Sequence, residues 1–284
     1  MPQPYEEWHV TRDRELRERL VAHLEGTHVL TDPTLAAAFR RVPRHLFIPE
    51  ASPDEAYDDR ALAIKERNGV VLSSISQPSM IAQMLALLEV RPGHRVLEIG
   101  TGSGYNAALL ATLVGNDGYV LTVDIEDDLL ERARRVLELL DMRRVDVAHA
   151  STLALANERF DRIVVTARAD DIDERWWELL ADGGRIVVPL DIGYGGERAI
   201  GLVREGPYLR SIGSHACAFL EMRTAERHAD SEIFYREGRS HGNPPGPRVP
   251  LRVVAVRHAN ATPEMLATVD AIVARPHTLF GISR

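Results

Sequence analysis

Between residues 78 and 189 short apolar runs alternate with amphipathic helical stretches, which predicts an α/β chain. The expected architecture is a doubly wound, Rossmann-like parallel sheet with helices on both faces. Two further observations agree. The first apolar run ends in a glycine-rich loop that opens a helix, and the second ends in an acidic residue. In such a sheet a ligand sits at the carboxyl ends of the strands.

Leu16, Leu20, Val21 and Leu24 recur at helical spacing and predict a helix over 11–25. Asp32 before Pro33 predicts a capped second helix that stops ahead of Pro43. Residues 44–77 show little periodicity and read mostly as loop. An apolar helix is expected over 79–90, with Pro78 near its first turn. Residues 95–99 read as a buried strand and 107–114 as a helix. Residues 119–123 form the next strand, ending at Asp124, and 129–140 a helix. Strands are expected at 145–148 and 162–166, a helix at 172–180, and a strand at 185–189 after the turn Gly183-Gly184. Two β-like runs follow, 198–204 and 211–222. Residues 223–250 read as a polar linker. A small βα unit closes the chain, with a strand at 251–256 and a helix capped by Thr262.

Composition narrows the partners. The net charge is −8, from 42 acidic and 34 basic residues, so a phosphate backbone is an unsuitable partner and no nucleic acid is expected. Cys217 is the one cysteine, which excludes an intramolecular disulfide and fits a reducing compartment. The first ten residues lack the apolar stretch of a secretory signal, and no run is long enough to span a membrane. A cytoplasmic location and a monomer are expected.

The loop Gly100-Thr101-Gly102-Ser103-Gly104-Tyr105 sits between a strand and a helix. Alternating glycines let backbone approach a ligand, and the helix start offers free N–H groups. The glycines alone do not separate an adenosyl cofactor from a dinucleotide, because Gly102-x-Gly104-x-x-Ala107 also fits the looser dinucleotide pattern. Asp124 can accept hydrogen bonds from ribose hydroxyls under either reading. Glu98, two positions before Gly100, favours S-adenosyl-L-methionine over the alternative, a nicotinamide-dependent oxidoreductase, for which no Tyr-x-x-x-Lys pair is evident.

The stretch 98–105 resembles the cofactor loop of the protein-L-isoaspartate O-methyltransferase family. So does Ser74-Ile75-Ser76-Gln77-Pro78, which looks like that family's substrate-side signature. Arg41-Val42-Pro43-Arg44, Phe47-Ile48-Pro49, Ala56-Tyr57-Asp58-Asp59-Arg60, Phe160-Asp161-Arg162-Ile163 and Gly183-Gly184-Arg185 match in the family's order. The resemblance implies a seven-stranded methyltransferase sheet and methylation of an aspartyl or isoaspartyl carboxylate in a protein or peptide. It places Ser76 against the substrate carboxylate, with Ser74 in place of the family's usual threonine. It assigns the cofactor to Glu98, Gly100, Thr101, Gly102, Ser103, Gly104, Tyr105, Asp124 and Ile125, with Gln77 and Ser151 completing the site. Three regions are expected: 1–55 helical and on the substrate side, 56–222 the methyltransferase domain, and 223–284 the linker and C-terminal βα extension.

The chain departs from the family pattern in four places. The loop 65–72 looks longer than usual, and Ser79 stands where tyrosine is frequent. Ser151 stands where an adenine-contacting aspartate is usual. About 60 residues extend past the usual end near Met222. Together these resemble a subgroup that methylates an aspartate of a ribosomally made precursor peptide, the ester then closing to a succinimide. Such a reaction needs no strong base, since an aspartyl carboxylate is already ionised. Free N–H groups at the start of the helix after Ser76 are expected to hold the anion. Three other features read as structural. His215 and Cys217 suit the core of an apolar strand and no metal is expected. Of Trp176 and Trp177, one is expected in the core and one on the surface. The acidic cluster at 170–174 complements a helix dipole.

Overall fold

The chain opens with α1 (Pro4–Gly26) and α2 (Pro33–Arg41). The Asp32 carboxylate accepts the N–H of Thr34 (2.7 Å) and Leu35 (3.4 Å), so α2 begins where the cap was expected. A turn of 3-10 helix (Arg44–Phe47) and a single capped helical turn, α3 (Pro53–Ala56), follow. Next come β1 (Leu62–Arg67), β2 (Val70–Ile75) and α4 (Pro78–Leu88). The body of the molecule is β3 (Arg95–Ile99), α5 (Tyr105–Val114), β4 (Tyr119–Asp124), α6 (Asp127–Leu139), β5 (Val145–His149), β6 (Phe160–Val165), α7 (Glu174–Leu179), β7 (Leu180–Asp191), β8 (Glu197–Glu205) and β9 (Tyr208–Ala216). β10 (Arg252–Arg257) and β11 (Thr278–Ser283) end it. The structure, a computed structural model, describes residues 4–191, 196–206, 208–223, 252–257 and 278–283. The expected linker and the helix at Thr262 fall outside the described residues.

Strands β3 to β9 form the expected seven-stranded sheet, and β10 and β11 continue it in the order β11-β10-β9-β8-β7-β6-β3-β4-β5. β4, β3, β6 and β7 are parallel neighbours, with β5 parallel on the far side of β4; β8 and β9 run antiparallel. Strand order reverses between β3 and β6, the switch point where such sheets bind ligands.

The sheet is buried on both sides, and alternation along its strands divides the core in two. Val96 and Val164 point into one cluster, with Leu20, Leu24, Phe39, Leu85, Leu109 and Ala133 from α1, α2, α4, α5 and α6. Leu97, Ile99, Ile163 and Val165 point into the other, which α7 covers with both Trp176 and Trp177. This corrects the expectation for the tryptophans. They are 6% and 5% exposed, because one short helix must cover that whole face. No described helix is long and apolar enough to cross a membrane.

The reading of 44–77 as loop is also corrected. β1 and β2 pair antiparallel, Leu62 with Ile75 and Arg67 with Val70. Asn68 and Gly69 have φ of +53° and +76°, so both central residues of the two-residue turn are left-handed, as a type I′ hairpin requires. Residues 65–72 form the turn end of this hairpin.

Candidate active site

The glycine loop hangs from β4. Gly100 N and Thr101 N both donate to Val123 O (2.8 and 3.1 Å), and Gly104 N donates to Thr101 O (2.8 Å). Thr166, just past β6, donates its hydroxyl to Gly100 O (2.7 Å). At Gly100, φ is +106° and an added Cβ would lie 2.3 Å from Thr166 Oγ1, so glycine is required there. At Gly102, φ is +50° and an added Cβ would point into the slot facing Ser73, Ser74 and Ile64, at 3.6–3.8 Å. The loop backbone is thus left bare toward a cavity of about 1030 Å³.

Two carboxylates brace the loop from behind and beside. Glu98 is fully buried. Its Oε1 accepts from Asn106 Nδ2 (2.7 Å) and its Oε2 from Thr122 Oγ1 (2.6 Å). Thr101 Oγ1 lies 2.8 Å from Thr122 Oγ1, completing a buried chain of hydroxyls. Burial pushes the Glu98 carboxyl up to about 7, against the opposing effect of those two hydrogen bonds. Asp124 ends β4 half-buried. Its Oδ2 accepts Gly102 N (2.9 Å), and its Oδ1 accepts Ile125 N (2.8 Å) and Glu126 N (3.2 Å). A carboxylate offers about four lone-pair sites, so one or more remain for a ribose hydroxyl.

At one end the cavity is lined by Val123, Ile125, His149, Ser151, Leu153 and Trp176, a flat apolar slot with polar edges. Ser151 N donates to His149 Nδ1 (3.2 Å), and Ser151 Oγ lies 2.9 Å from the same nitrogen. Because a backbone N–H can only donate, His149 Nδ1 is the acceptor and a neutral ring carries its proton on Nε2. His149 and Trp176 escaped the sequence reading. His149 has no motif of its own, and of Trp176 and Trp177 the sequence places one in the core and one on the surface.

At the other end Ser73, Ser74 and Ser76 line the cavity from β2 and the turn after it. Among the described residues, neither the Ser74 nor the Ser76 hydroxyl has a protein partner. The Gln77 amide, expected above at the cofactor, is engaged instead by Asp59, its Nε2 donating to Asp59 O (3.0 Å) and Oδ2 (3.3 Å). Asp59 Oδ1 accepts Ser79 N (2.8 Å). One N–H at the start of α4, that of Ser79, is therefore already taken by a resident carboxylate. Tyr105 is buried with its ring against Phe39, Phe47 and the Arg44 guanidinium.

Beside the rim, Lys65, Glu126, Asp128 and Arg223 form an ion-pair cluster, Lys65 Nζ also reaching Asp128 Oδ1 (2.5 Å). Glu126, 8% exposed, receives Lys65 Nζ (2.5 Å) from β1 and Arg223 Nη1 (2.6 Å) from the segment after β9. Arg223 Nη2 also donates to Leu72 O of β2 (3.1 Å). Burial alone would raise the Glu126 carboxyl, but these two hydrogen bonds hold it below the usual range. The segment 217–223 is fixed on its far side too. Arg168 N donates to Leu220 O (2.9 Å) and Met222 N to Arg168 O (2.8 Å). Cys217 lines the cavity, and burial pushes its thiol up to about 12. No metal-binding group of side chains occurs among the described residues.

These elements define a methyltransferase of the doubly wound class, with a nucleotide-type slot at the switch point and a second, hydroxyl-lined end. Residues 14–219 match the model of the protein-L-isoaspartate(D-aspartate) O-methyltransferase family, and the chain belongs to that family. It is 41% identical over 180 residues to the protein-L-isoaspartate O-methyltransferase of Methanopyrus kandleri, covering 62% of this chain and 77% of that one. It is 37% identical over 208 residues to that of Desulfosudis oleivorans, covering 72% and 90%. Among solved structures, a protein-L-isoaspartate O-methyltransferase superposes with TM-score 0.66 at 30% identity, covering 73% of this chain and 66% of that one. A Plasmodium falciparum structure described as the same kind of enzyme, in complex with S-adenosyl-L-homocysteine, shares the fold at TM-score 0.62 and 23% identity, covering 73% and 98%. The family's methyl donor is S-adenosyl-L-methionine. The bare glycine backbone and the Asp124 lone pairs fit such a group.

Proposed function

We propose that the chain transfers a methyl group from S-adenosyl-L-methionine to the side-chain carboxylate of an isoaspartyl or aspartyl residue in a protein or peptide. The observation that carries this reading is the single cavity joining the adenosyl slot to the free hydroxyls of Ser74 and Ser76. The cofactor, when bound, supplies a methyl group on a sulfonium. Asp124 would hold the ribose, the backbone of Gly100, Gly102 and Gly104 would lie along the methionine portion, and Glu98 would stiffen the loop from behind. Val123, Ile125, Leu153 and Trp176 would enclose adenine, with Ser151 and His149 at its polar edge.

The acceptor oxygen forms a bond to the methyl carbon as the carbon–sulfur bond breaks. A carboxylate becomes a neutral ester and the sulfonium a neutral thioether, so no proton moves. The protein must align the oxygen and exclude water rather than supply a base. Ser76 would donate one hydrogen bond to the carboxylate and orient it. A hydroxyl suits that task better than a cation, since a guanidinium would hold the charge that has to be spent in bond formation. The cavity-lining cations support this: Arg223 is paired with Glu126, and Arg175 lies at the adenine end, donating to Leu153 O (2.7 Å) and to Glu178.

The names of the relatives favour an isoaspartyl residue in damaged protein. A second reading takes an aspartate of a ribosomally made precursor peptide. After methylation the next backbone nitrogen attacks the ester carbonyl, methanol leaves with the amide proton, and a succinimide closes. The long β1–β2 hairpin and the chain beyond residue 219, where the family match ends, favour that reading. Incubation with methyl-labelled S-adenosyl-L-methionine and matched isoaspartyl and aspartyl peptides tests both. Base-labile label on the isoaspartyl peptide supports repair. No label on either generic peptide contradicts the repair reading and leaves transfer to a cognate precursor as the one to test.

A further inference from the structure

The turn that carries Ser76 has no regular structure of its own to hold it. It lies between the last ladder pair of β2, Ile75 with Leu62, and the first turn of α4. Gln77, the residue at the start of α4, makes no cap for its own helix. The cap comes from a distant residue. Asp59 Oδ1 takes Ser79 N at 2.8 Å, while its backbone oxygen takes Gln77 Nε2 at 3.0 Å. One residue thus fixes both the backbone and the side chain flanking Ser76.

Asp59 is itself held from beneath. Arg44 is fully buried, and its guanidinium straddles the segment that bears Asp59. Nε donates to Ala56 O (2.8 Å) and Nη2 to Arg60 O (3.4 Å). Its other face lies 5.0 Å from the Tyr105 ring centroid, and Tyr105 lines the cavity at the glycine loop. A continuous path of contacts therefore runs from the cofactor loop through Tyr105, Arg44 and Asp59 to the turn at Ser76. Two consequences follow for chemistry. The hydroxyl of Ser76 is aimed by a frame that also touches the loop behind the cofactor. The positive end of the α4 dipole is countered by a resident carboxylate, so an acceptor carboxylate meets neutral hydroxyls and keeps its nucleophilicity.

We propose that Asp59 is a positioning residue for methyl transfer: from outside the cavity it sets the turn that presents Ser76 to the acceptor carboxylate. This rests on the carboxyl methyltransferase reading given above. A role confined to the acceptor side separates Asp59 from residues that bind the cofactor.

The full chain is compared with Asp59→Ala, Asp59→Asn, Gln77→Leu and the Asp59→Ala/Gln77→Leu double variant. S-Adenosyl-L-homocysteine affinity is measured by titration calorimetry, and kcat and KM are measured with an isoaspartyl or aspartyl peptide that the wild type methylates. Asp59→Ala is expected to lower kcat/KM for the peptide by about 10- to 100-fold, the scale of a misplaced reacting group. Its cofactor affinity is expected to stay within about twofold, because Asp59 lies outside the cavity and its loss leaves Arg44 and Tyr105 in place behind the glycine loop. Asp59→Asn keeps an oxygen for Ser79 N and recovers most of the loss. The double variant is expected to fall no further than the worse single one, as in a shared network. Equal activity of Asp59→Ala and wild type overturns the proposal, as does a parallel loss of cofactor affinity or a multiplicative double effect. If Asp59→Ala does not fold, Gln77→Leu decides: a reduced kcat/KM with intact cofactor binding supports the role, and an unchanged kcat/KM refutes it. A wild type that binds cofactor but methylates neither the generic isoaspartyl and aspartyl peptides nor a cognate precursor peptide refutes the carboxyl methyltransferase reading instead.

Discussion

The two walls of the cavity are built on different principles. The wall at the switch point is sheet-borne: the loop 100–105, Glu98 and Asp124 are tied by backbone hydrogen bonds to β4 and by buried side chains to one another. The opposite wall is a two-stranded hairpin, mostly half-exposed, with register shifts in its ladder and an ion-paired clasp at its rim. The first wall is pre-organised for a ligand that does not vary. The second is held by side-chain ion pairs near its rim, which suits the polypeptide acceptor proposed above. On the proposed reading the difference separates cofactor binding from acceptor recognition, and substitutions can break it on either side.

The largest effect is expected at Gly100→Ala. The left-handed φ and the 2.3 Å approach of Thr166 Oγ1 together should cost about 2–4 kcal/mol of stability. Cofactor affinity should fall with it, by about 100-fold if some 3 kcal/mol of the strain is expressed in the bound loop. Thermal melts and calorimetric titration with S-adenosyl-L-homocysteine check both.

Glu98 gives a pH signature on the same wall. Its folded pKa of about 7 lies above its ordinary 4.5, so the folded state binds the proton more tightly than the unfolded chain. This group's contribution should therefore fall as pH rises from about 4.5 to 7 and level off above, a change on the order of 3 kcal/mol. Glu98→Gln should flatten that slope in urea melts taken across the interval. An unchanged slope would mean that the hydrogen bonds from Thr122 and Asn106 outweigh burial.

On the hairpin wall, Glu126→Gln removes the anion that Lys65 and Arg223 share and leaves Lys65 with Asp128 alone. A loss of about 1–3 kcal/mol is expected, smaller in high salt because the rim is partly exposed. The smallest effect should come from Gly69→Ala at the hairpin tip, where φ is +76° but nothing lies within 4 Å of a new Cβ. The strain alone should cost about 1 kcal/mol and leave cofactor affinity unchanged. A large cofactor effect at Gly69 would erase the distinction between the walls.

The same division explains what could be read from the chain. β3, α5 and β4 were legible because a fully buried parallel strand shows as an apolar run and the glycine loop has a fixed register. The hairpin was not, because Lys65, Glu66 and Arg67 interrupt its alternation; the pair Asn68-Gly69 was the available signal. Ser74 and Ser76 were found through their motif. Asp59 was visible only as part of a resemblance, because its role depends on contacts with Gln77 and Ser79 across 18 and 20 residues. The Glu126–Arg223 pair spans 97 residues and has no local pattern at all. Trp176 misled because its apolar character fits a core and a cavity wall equally well.

The most direct test of separate walls pairs Ser76→Ala with Asp124→Ala, each measured for S-adenosyl-L-homocysteine affinity and for base-labile methyl transfer to a peptide the wild type accepts. Ser76→Ala should keep its cofactor affinity and lose transfer by about 10- to 100-fold. Asp124→Ala should lose affinity by about 10-fold or more, as expected when a bond between a charged acceptor and its donor is removed. If Ser76→Ala instead weakens cofactor binding while transfer at saturating cofactor is unchanged, the hydroxyl-lined end belongs to the cofactor, and the assignment of the two walls is wrong.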